Sequence, residues 1–325
     1  MASIKDVAQR AQVGAATVSR VLNGNGYVSE ATRKKIEAAM KELDYTPNEL
    51  ARNLYRKRAG IIAVIVPDAA HPFFAEFVKK VEFLLHEKGY KMMLCNTVES
   101  RNNEKEYLDM LNRHIVDGII SGCHTLEIEE YSRIQKPIVA LDRELGEYIP
   151  MVASDHKKGG ELAAECLIKK GCKCVVQFVG SFALESPYQE RHRVFEQIMK
   201  KNGIQVYDYE MGWNKFDHPY YQMVARQIFD LHPEADGIFG ADMIALGYLK
   251  ECLARGKRVP EDVKIVAYDG TYLTNLVTPS VTAIEQNIDE LAGQSVRLIL
   301  KLIEGHKYRN KVVTVDVVLN EKEST

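Results

Sequence analysis

From residue 61 onward the chain repeats one unit, a short apolar run followed by a longer segment whose apolar residues recur at helical spacing. The runs "IIAVIVPD" (61–68), "KMMLCNT" (91–97), "VDGIISG" (116–122) and "PIVALDR" (137–143) are separated by stretches such as "FFAEFVKKVEFLLHEKG". Runs of this kind suit strands covered on both faces, and parallel strands need a helix-length crossover between them. A second series follows in "CVVQFVG", "YDYEMGW", "DGIFGAD" and "VKIVAYDG". At 325 residues the chain exceeds what one core usually supports. The alternation therefore predicts an α/β body of two doubly wound, parallel-sheet lobes rather than a single sheet.

Open parallel sheets bind ligands at the carboxyl edge of their strands. Asp68, Asp142, Asp242 and Asp269 each close one of these runs. With Arg191 and the rings of Phe73, Phe74 and Trp213 they form a candidate carbohydrate site, because rings stack on sugar faces while carboxylates and guanidinium groups take paired hydroxyls. Arg143 and Arg193 would accommodate a phosphate on that sugar. Plainer roles compete with these: Asp242 can cap the helix after it, Asp68 can shape the turn before "AAHPFF", one of the two phenylalanines can be core, and Trp213 can pack rather than stack.

The chain contains no GxxxxGK[ST], GxSxG or HExxH, and no GxGxxG between a strand and a helix, so no familiar catalytic machinery is visible. Its six cysteines are scattered, with one CxC at 172–174 and no second pair, which points to free thiols and no metal site. No cofactor is implied. No apolar run approaches the roughly 20 residues of a membrane span, and the start "MASIKDVAQR" lacks the apolar core of a signal peptide; both point to the cytoplasm.

The net charge of −2 conceals an asymmetry. Residues 1–58 carry eleven Lys and Arg against six Asp and Glu, whereas the rest of the chain carries thirty-two against thirty-nine. Only the first part is suited to a polyanion. There Ser3 and Asp6 can cap a helix through Val7, Ala8 and Ala11, and a turn at residues 12–14 leads into a second helix with Val18, Val21 and Leu22 on its buried face. Ser29 can cap a third helix over 30–44, with Thr32, Ile36, Ala39, Met40 and Leu43 closing a three-helix core. This is a helix-turn-helix unit. The free face of its second helix bears Ala15, Ala16, Thr17, Ser19, Arg20 and Asn23. Small residues at the leading end let the backbone approach base edges in a major groove, and Arg20 has the planar fork that reads guanine.

The stretch "IKDVAQRAQVGAATVSRVLNGNGYVSEATRKKIEAAMKELDYTPNELARNL", above all "TVSRVLN" and "YTPNELARNL", resembles the DNA-binding headpiece of the lactose-repressor (LacI/GalR) family of bacterial regulators. One departure is Gly14, where that family usually has a capping Ser. The resemblance implies three regions: a headpiece over 1–46, a hinge over 47–58, and a ligand-binding and dimerisation domain over 59–325. The hinge would be a helix that pairs with its dimer mate in the minor groove, bringing Asn48 and Arg52 to the DNA while Leu54 wedges into a base step. The resemblance further implies that the chain passes between the two lobes three times, near Asp155, Asn287 and Tyr308, so that the first lobe takes 59–155 and 287–307 and the second 156–286 and 308–325. Asp269 and Arg191 match effector-binding positions of the family, although Val194-Phe195 stands where Gly-Phe is usual, and Ala241 stands where many members have a ligand-binding Asn. Within the family, "VDGIISGCHTLEIEEYSRI" and "YDGTYLTN" are similar to sucrose-operon repressors.

The reading that follows is a homodimeric, non-catalytic transcription repressor that binds a near-palindromic operator and answers to a small sugar or sugar phosphate, most similar to regulators of sucrose use. The alternatives are a sugar-binding protein or sugar-converting enzyme with an incidental basic headpiece, and a regulator controlled by a partner phosphoprotein.

Overall fold

The computed structural model describes residues 2–23, 26–46, 58–97, 103–123, 128–181, 186–212 and 215–325. The chain divides into two compact units, residues 1–60 and 61–325.

In the first unit, α1 (Ile4–Arg10) opens with a capping box: the Ser3 amide donates to the Asp6 carboxylate at 2.7 Å, and the Asp6 amide donates to the Ser3 hydroxyl at 3.4 Å. Its end is a left-handed stop. Gln12 has φ +54°, the Val13 amide reaches back to the Ala8 carbonyl, and the Gln12 amide reaches the Gln9 carbonyl. In α2 (Ala15–Asn23) the first turn bonds to the Gly14 carbonyl. Ser29 caps α3 (Glu30–Glu42), accepting from the Thr32 amide, and the helix stops the same way as α1, with Asp44 at φ +46°. Val7, Val18 and Ile36 meet in a core with no exposure, joined by Ala8, Ala11, Val21 and Ala39.

In the second unit, β1 (Ile61–Val66), α4 (Pro72–Glu87), β2 (Lys91–Asn96), α5 (Glu104–Asn112), β3 (Gly118–Ser121), α6 (Ile128–Ser132), β4 (Ile138–Leu141) and β5 (Met151–Ser154) begin the first lobe. The second lobe follows with α7 (His156–Lys169), β6 (Cys174–Val179), α8 (Gln189–Lys201), β7 (Gln205–Glu210), α9 (His218–Leu231), β8 (Gly237–Ala241), α10 (Asp242–Ala254), β9 (Lys264–Asp269) and β10 (Thr282–Gln286). The chain then returns through α11 (Ile288–Ile303) and β11 (Val312–Val315) before ending in β12 (Val317–Asn320). One sheet has the order β11-β5-β4-β3-β1-β2, all parallel; the other has β12-β10-β9-β8-β6-β7, parallel except for the antiparallel β12.

Helix spacing explains how the sheets are covered. Phe73, Phe77, Val81 and Leu85 recur every fourth residue on α4 and are buried against the first sheet together with Leu291, Val296 and Ile299 of α11. Truncating a fully enclosed ring such as Phe77 to Ala would cost about 3–5 kcal/mol.

The first two passages between lobes are single helix-capping residues: Asp155 accepts from the Lys158 amide at 2.9 Å, and Asn287 from the Glu290 amide at 3.0 Å. The third lies at Asp316, not near Tyr308 as expected. The run "VVTVDVVLN" reads as one strand, but Val312–Val315 pairs in parallel with β5 of the first sheet and Val317–Asn320 in antiparallel with β10 of the second. Residues 308–315 therefore belong to the first lobe. The Asp316 carboxylate accepts from Lys158 at 2.6 Å, tying this passage to α7.

Candidate functional site

The carboxyl ends of both sheets face each other across a cavity of about 220 Å³. From the first lobe come His71, Phe73 and Phe74 after β1, Gly122 after β3 and Asp142 after β4. The second lobe contributes Tyr188 and Arg191 at the start of α8, Lys215, Phe216 and Tyr221 around α9, and Ala241, Asp269 and Gln286 at strand ends. Aromatic walls with a few converging polar groups are the usual make-up of a small-molecule site.

Two of those polar groups sit on strained backbone. Asp142 has φ +53° and Asp269 has φ +111°, followed by Gly270 at φ +68°, where a Cβ would collide with Glu285. The turn after β9 is held by Asp242, whose carboxylate accepts from the Gly270 amide (3.1 Å), the Thr271 amide (2.7 Å) and the Thr271 hydroxyl (2.6 Å). Asp142 Oδ1 accepts from the Ser154 amide at 3.2 Å and is paired with His156 Nε2 at 2.8 Å, while His156 Nδ1 is paired with the Tyr268 hydroxyl at 2.8 Å. Arg191 stacks on the Tyr268 ring, 4.0 Å from its centroid. Ser154 donates to Gln286 at 2.6 Å, and Gln286 donates to Asp269 at 2.8 Å.

The titration of these groups follows from burial and neighbours. Burial would raise the Asp142 carboxyl, but the charge and hydrogen bond of His156, the Ser154 amide and the Arg191 charge overcome it and hold the group below its ordinary value. Asp269 moves the other way: burial, and then the charge of Asp242, push it up against the opposing pull of Arg191 and Gln286. Burial lowers His71 to about 4, so it is neutral at pH 7.

The cavity gathers Phe73, Phe74, Asp142, Arg191 and Asp269 from the residues that the sequence singles out. Phe73 is chiefly core, and Phe74 packs across it at 5.3 Å between ring centroids. Three others are engaged elsewhere. Asp68 accepts from the Ala70 amide and shapes the turn, Asp242 clamps the Thr271 turn, and Arg143 is buried over the Tyr131 ring at 5.9 Å. Arg193 is exposed beside Glu190. Trp213 lies outside the described residues. Sequence reasoning missed His71, Phe216, Tyr188, Tyr221 and Gln286; the strand-end rule that found the aspartates would also have found Gln286, the last residue of β10.

On the headpiece, Ala15, Ala16 and Arg20 are exposed on α2, while Thr17 and Ser19 are half-buried. The side chain of Asn23, and Asn48, Arg52 and Leu54 with the rest of 47–57, lie outside the described residues.

Comparison with known proteins matches residues 3–48 to the model for bacterial regulatory proteins of the lacI family, and residues 164–325 to that for a periplasmic binding protein-like domain. The ribose operon repressor of Halalkalibacterium halodurans is 39% identical over 98% of this chain and 96% of its own, and the sucrose operon repressor of Streptococcus mutans is 37% identical over 94% and 93%. Among solved structures, a periplasmic binding protein/LacI transcriptional regulator from Alkaliphilus metalliredigens, complexed with D-xylulofuranose, superimposes with a TM-score of 0.74 at 29% identity, covering 82% of this chain and 99% of that one. A helix-turn-helix unit joined to a two-lobed body with a cavity between its strand edges, matched over nearly the full length by two operon repressors, has one consistent assignment: the chain belongs to the lacI family of bacterial regulatory proteins.

Proposed function

We propose that this protein is a homodimeric repressor that holds a near-palindromic operator in the bacterial cytoplasm and releases it when an uncharged, single-ring sugar binds between its lobes. The observation that carries this reading is the convergence of Asp142 from one lobe with Arg191 and Asp269 from the other on one aromatic-walled cavity. A ligand touching both sides favours closure, and closure turns one lobe against the other. The turn is passed along residues 47–57 to the headpieces, which lose their register on the DNA. A coupling of about 1–3 kcal/mol, or 5- to 150-fold, suffices.

The size and charge of the cavity narrow the effector. About 220 Å³ lies below the ~300 Å³ at which ordinary ligand pockets begin, which favours one sugar ring over two. Neither arginine offered as a phosphate anchor, Arg143 or Arg193, lines it, and the cations that do, Arg191 and Lys215, share it with the carboxyl groups of Asp142 and Asp269, a mixed lining that suits hydroxyls better than a phosphate. The named relatives concern ribose and sucrose operons, and the D-xylulofuranose complex holds a single ring, so D-ribose and D-fructose, the latter one half of sucrose, are the first candidates. Binding alone accounts for this switch, and no chemistry on the sugar is required.

The test is an operator titration with and without D-ribose, D-fructose and sucrose. Release by a single-ring sugar supports the reading; tighter DNA binding on adding sugar reverses its sign, and response to the disaccharide alone contradicts the size argument.

A further inference from the structure

We infer that His156 is a positioning residue that carries the effector signal across the lobe boundary, an inference that rests on the effector reading above. Its imidazole does not line the cavity, is 4% exposed, and belongs to the first turn of the helix directly after the Asp155 passage. One nitrogen is held by Asp142, which is fixed to the first sheet, and the other by Tyr268, which belongs to the second. Asp142 and Arg191, the latter stacked on Tyr268, both face the cavity, so a single ring joins two ligand-facing groups of opposite charge on opposite lobes.

The geometry makes this link sensitive to the angle between lobes. Among the described residues, the hydrogen bonds to the Asp142 carboxylate, from Ser154 and from His156, both fall on Oδ1. Ser154 moves with Asp142, whereas His156 moves with the second lobe. Hydrogen bonds weaken steeply once their angle falls toward 120°, and a rigid five-membered ring cannot follow two partners that rotate apart. One lobe angle therefore satisfies both nitrogens. A second polar line, Ser154 to Gln286 to Asp269, crosses beside it but through a flexible amide, which tolerates a wider range of angles. The Ser186 hydroxyl also reaches across the boundary, donating to the Asp142 carbonyl at 2.8 Å, and helps hold the sugar-free angle; it is through the imidazole, which joins Asp142 to the residue beneath Arg191, that a sugar drawing on both acts on that angle.

The experiment compares full-length wild type with His156→Leu, His156→Gln and Tyr268→Phe. Operator affinity is measured without sugar and at saturating sugar, using whichever of D-ribose, D-fructose and sucrose releases the wild type, and sugar affinity is measured separately by calorimetry. In His156→Leu, operator affinity without sugar stays within about twofold of wild type, while the release factor at saturation falls from the ordinary 5- to 150-fold range toward one. Tyr268→Phe shows the same loss, and the two substitutions together lose no more than either alone, as expected for two links of one chain. His156→Gln, whose flexible amide reaches where Nε2 stood but leaves Tyr268 without its partner, loses the response as Tyr268→Phe does. A merely structural role would lower stability and sugar affinity yet leave the release factor at saturation intact, and that result overturns the inference. Should His156→Leu fail to fold, a wild-type release factor in Tyr268→Phe overturns it equally. A wild type that answers to none of the three sugars removes the effector reading itself, and this inference with it.

Discussion

The guanidinium carbon of Arg191 lies 4.0 Å from the centroid of the Tyr268 ring, so the planar cation of one cavity residue rests on the face of an aromatic residue beneath it. Stacking fixes the plane as well as the position of the group, which a lysine ammonium cannot reproduce. Arg191→Lys is therefore expected to weaken sugar binding nearly as much as Arg191→Ala, by tenfold or more for a paired contact of about 1.5–3 kcal/mol, while operator binding without sugar is retained. Calorimetry with the responsive sugar checks this, and near-normal affinity in the lysine variant would mean that only charge matters at this position.

The same stack depends on two consecutive glycines in α7. A Cβ at Gly159 would stand 2.7 Å from the Tyr268 ring, and one at Gly160 would run into the Arg191 backbone. Gly160→Ala should cost about 1–3 kcal/mol of stability through overpacking and displace Arg191, so that sugar affinity falls with it. Thermal unfolding with and without sugar separates the two effects; a fully stable Gly160→Ala protein with normal sugar binding contradicts the tight contact.

Asp269 gives the stability a pH dependence of predictable sign. Burial raises its carboxyl from 3.8 to about 8, so between those values the folded protein binds more protons than the unfolded chain. Stability contributed at this site is then highest at low pH and declines as pH rises through the window, by up to about 1.4 kcal/mol per pH unit. Asp269→Asn removes the titrating group and should flatten this decline, raising the melting temperature of the sugar-free protein most at pH 8–9. Melting curves from pH 5 to 9 check it; an unaltered slope would falsify the assignment.

At the headpiece, Arg20 is exposed on α2 and carries the planar fork that suits guanine. Arg20→Ala should lose about 1–3 kcal/mol at one base pair per half-site and relax the choice of base there. Binding to a set of single-base operator variants distinguishes this from a uniform loss, which would indicate a phosphate contact.

Gln12 at φ +54° occupies the left-handed stop of α1, a conformation that suits glycine better. Gln12→Gly should stabilise the headpiece by about 1 kcal/mol, the lower end of the cost of left-handed backbone for an ordinary residue. Denaturant unfolding of the full chain, followed by helical signal, measures it, and destabilisation would show that the Gln12 side chain matters more than its backbone.

Much of this fold is legible in the sequence because its two periodicities are local. Apolar runs of strand length and helical stripes such as Phe73, Phe77, Val81 and Leu85 need no knowledge of partners. The strand-end rule likewise reaches Asp142 and Asp269. It goes wrong at Asp242, because the donors that claim that carboxylate belong to Gly270 and Thr271, on a turn far along the chain. The passage at Asp316 is hidden for a similar reason: valines on either side are equally suited to either sheet, and only pairing with β5 or β10 decides between them. The edge-on contact between His71 and Phe216, 5.5 Å between rings on loops of different lobes, has no sequence signature at all.

The threefold passage of the chain between lobes also bears on how the protein is made. The first sheet needs β11, and its covering helix α11 follows all of the second lobe except β12 in sequence. On a translating ribosome, where earlier segments ordinarily fold first, residues 61–154 must wait with an apolar flank uncovered until residues 288–315 have emerged. The second lobe, nearly complete by β10, can form in the interval. The later-encoded lobe can thus assemble most of its sheet before the earlier one is covered, and a ribosome that stalls within 156–287 leaves exposed the very strands that chaperones would have to shield.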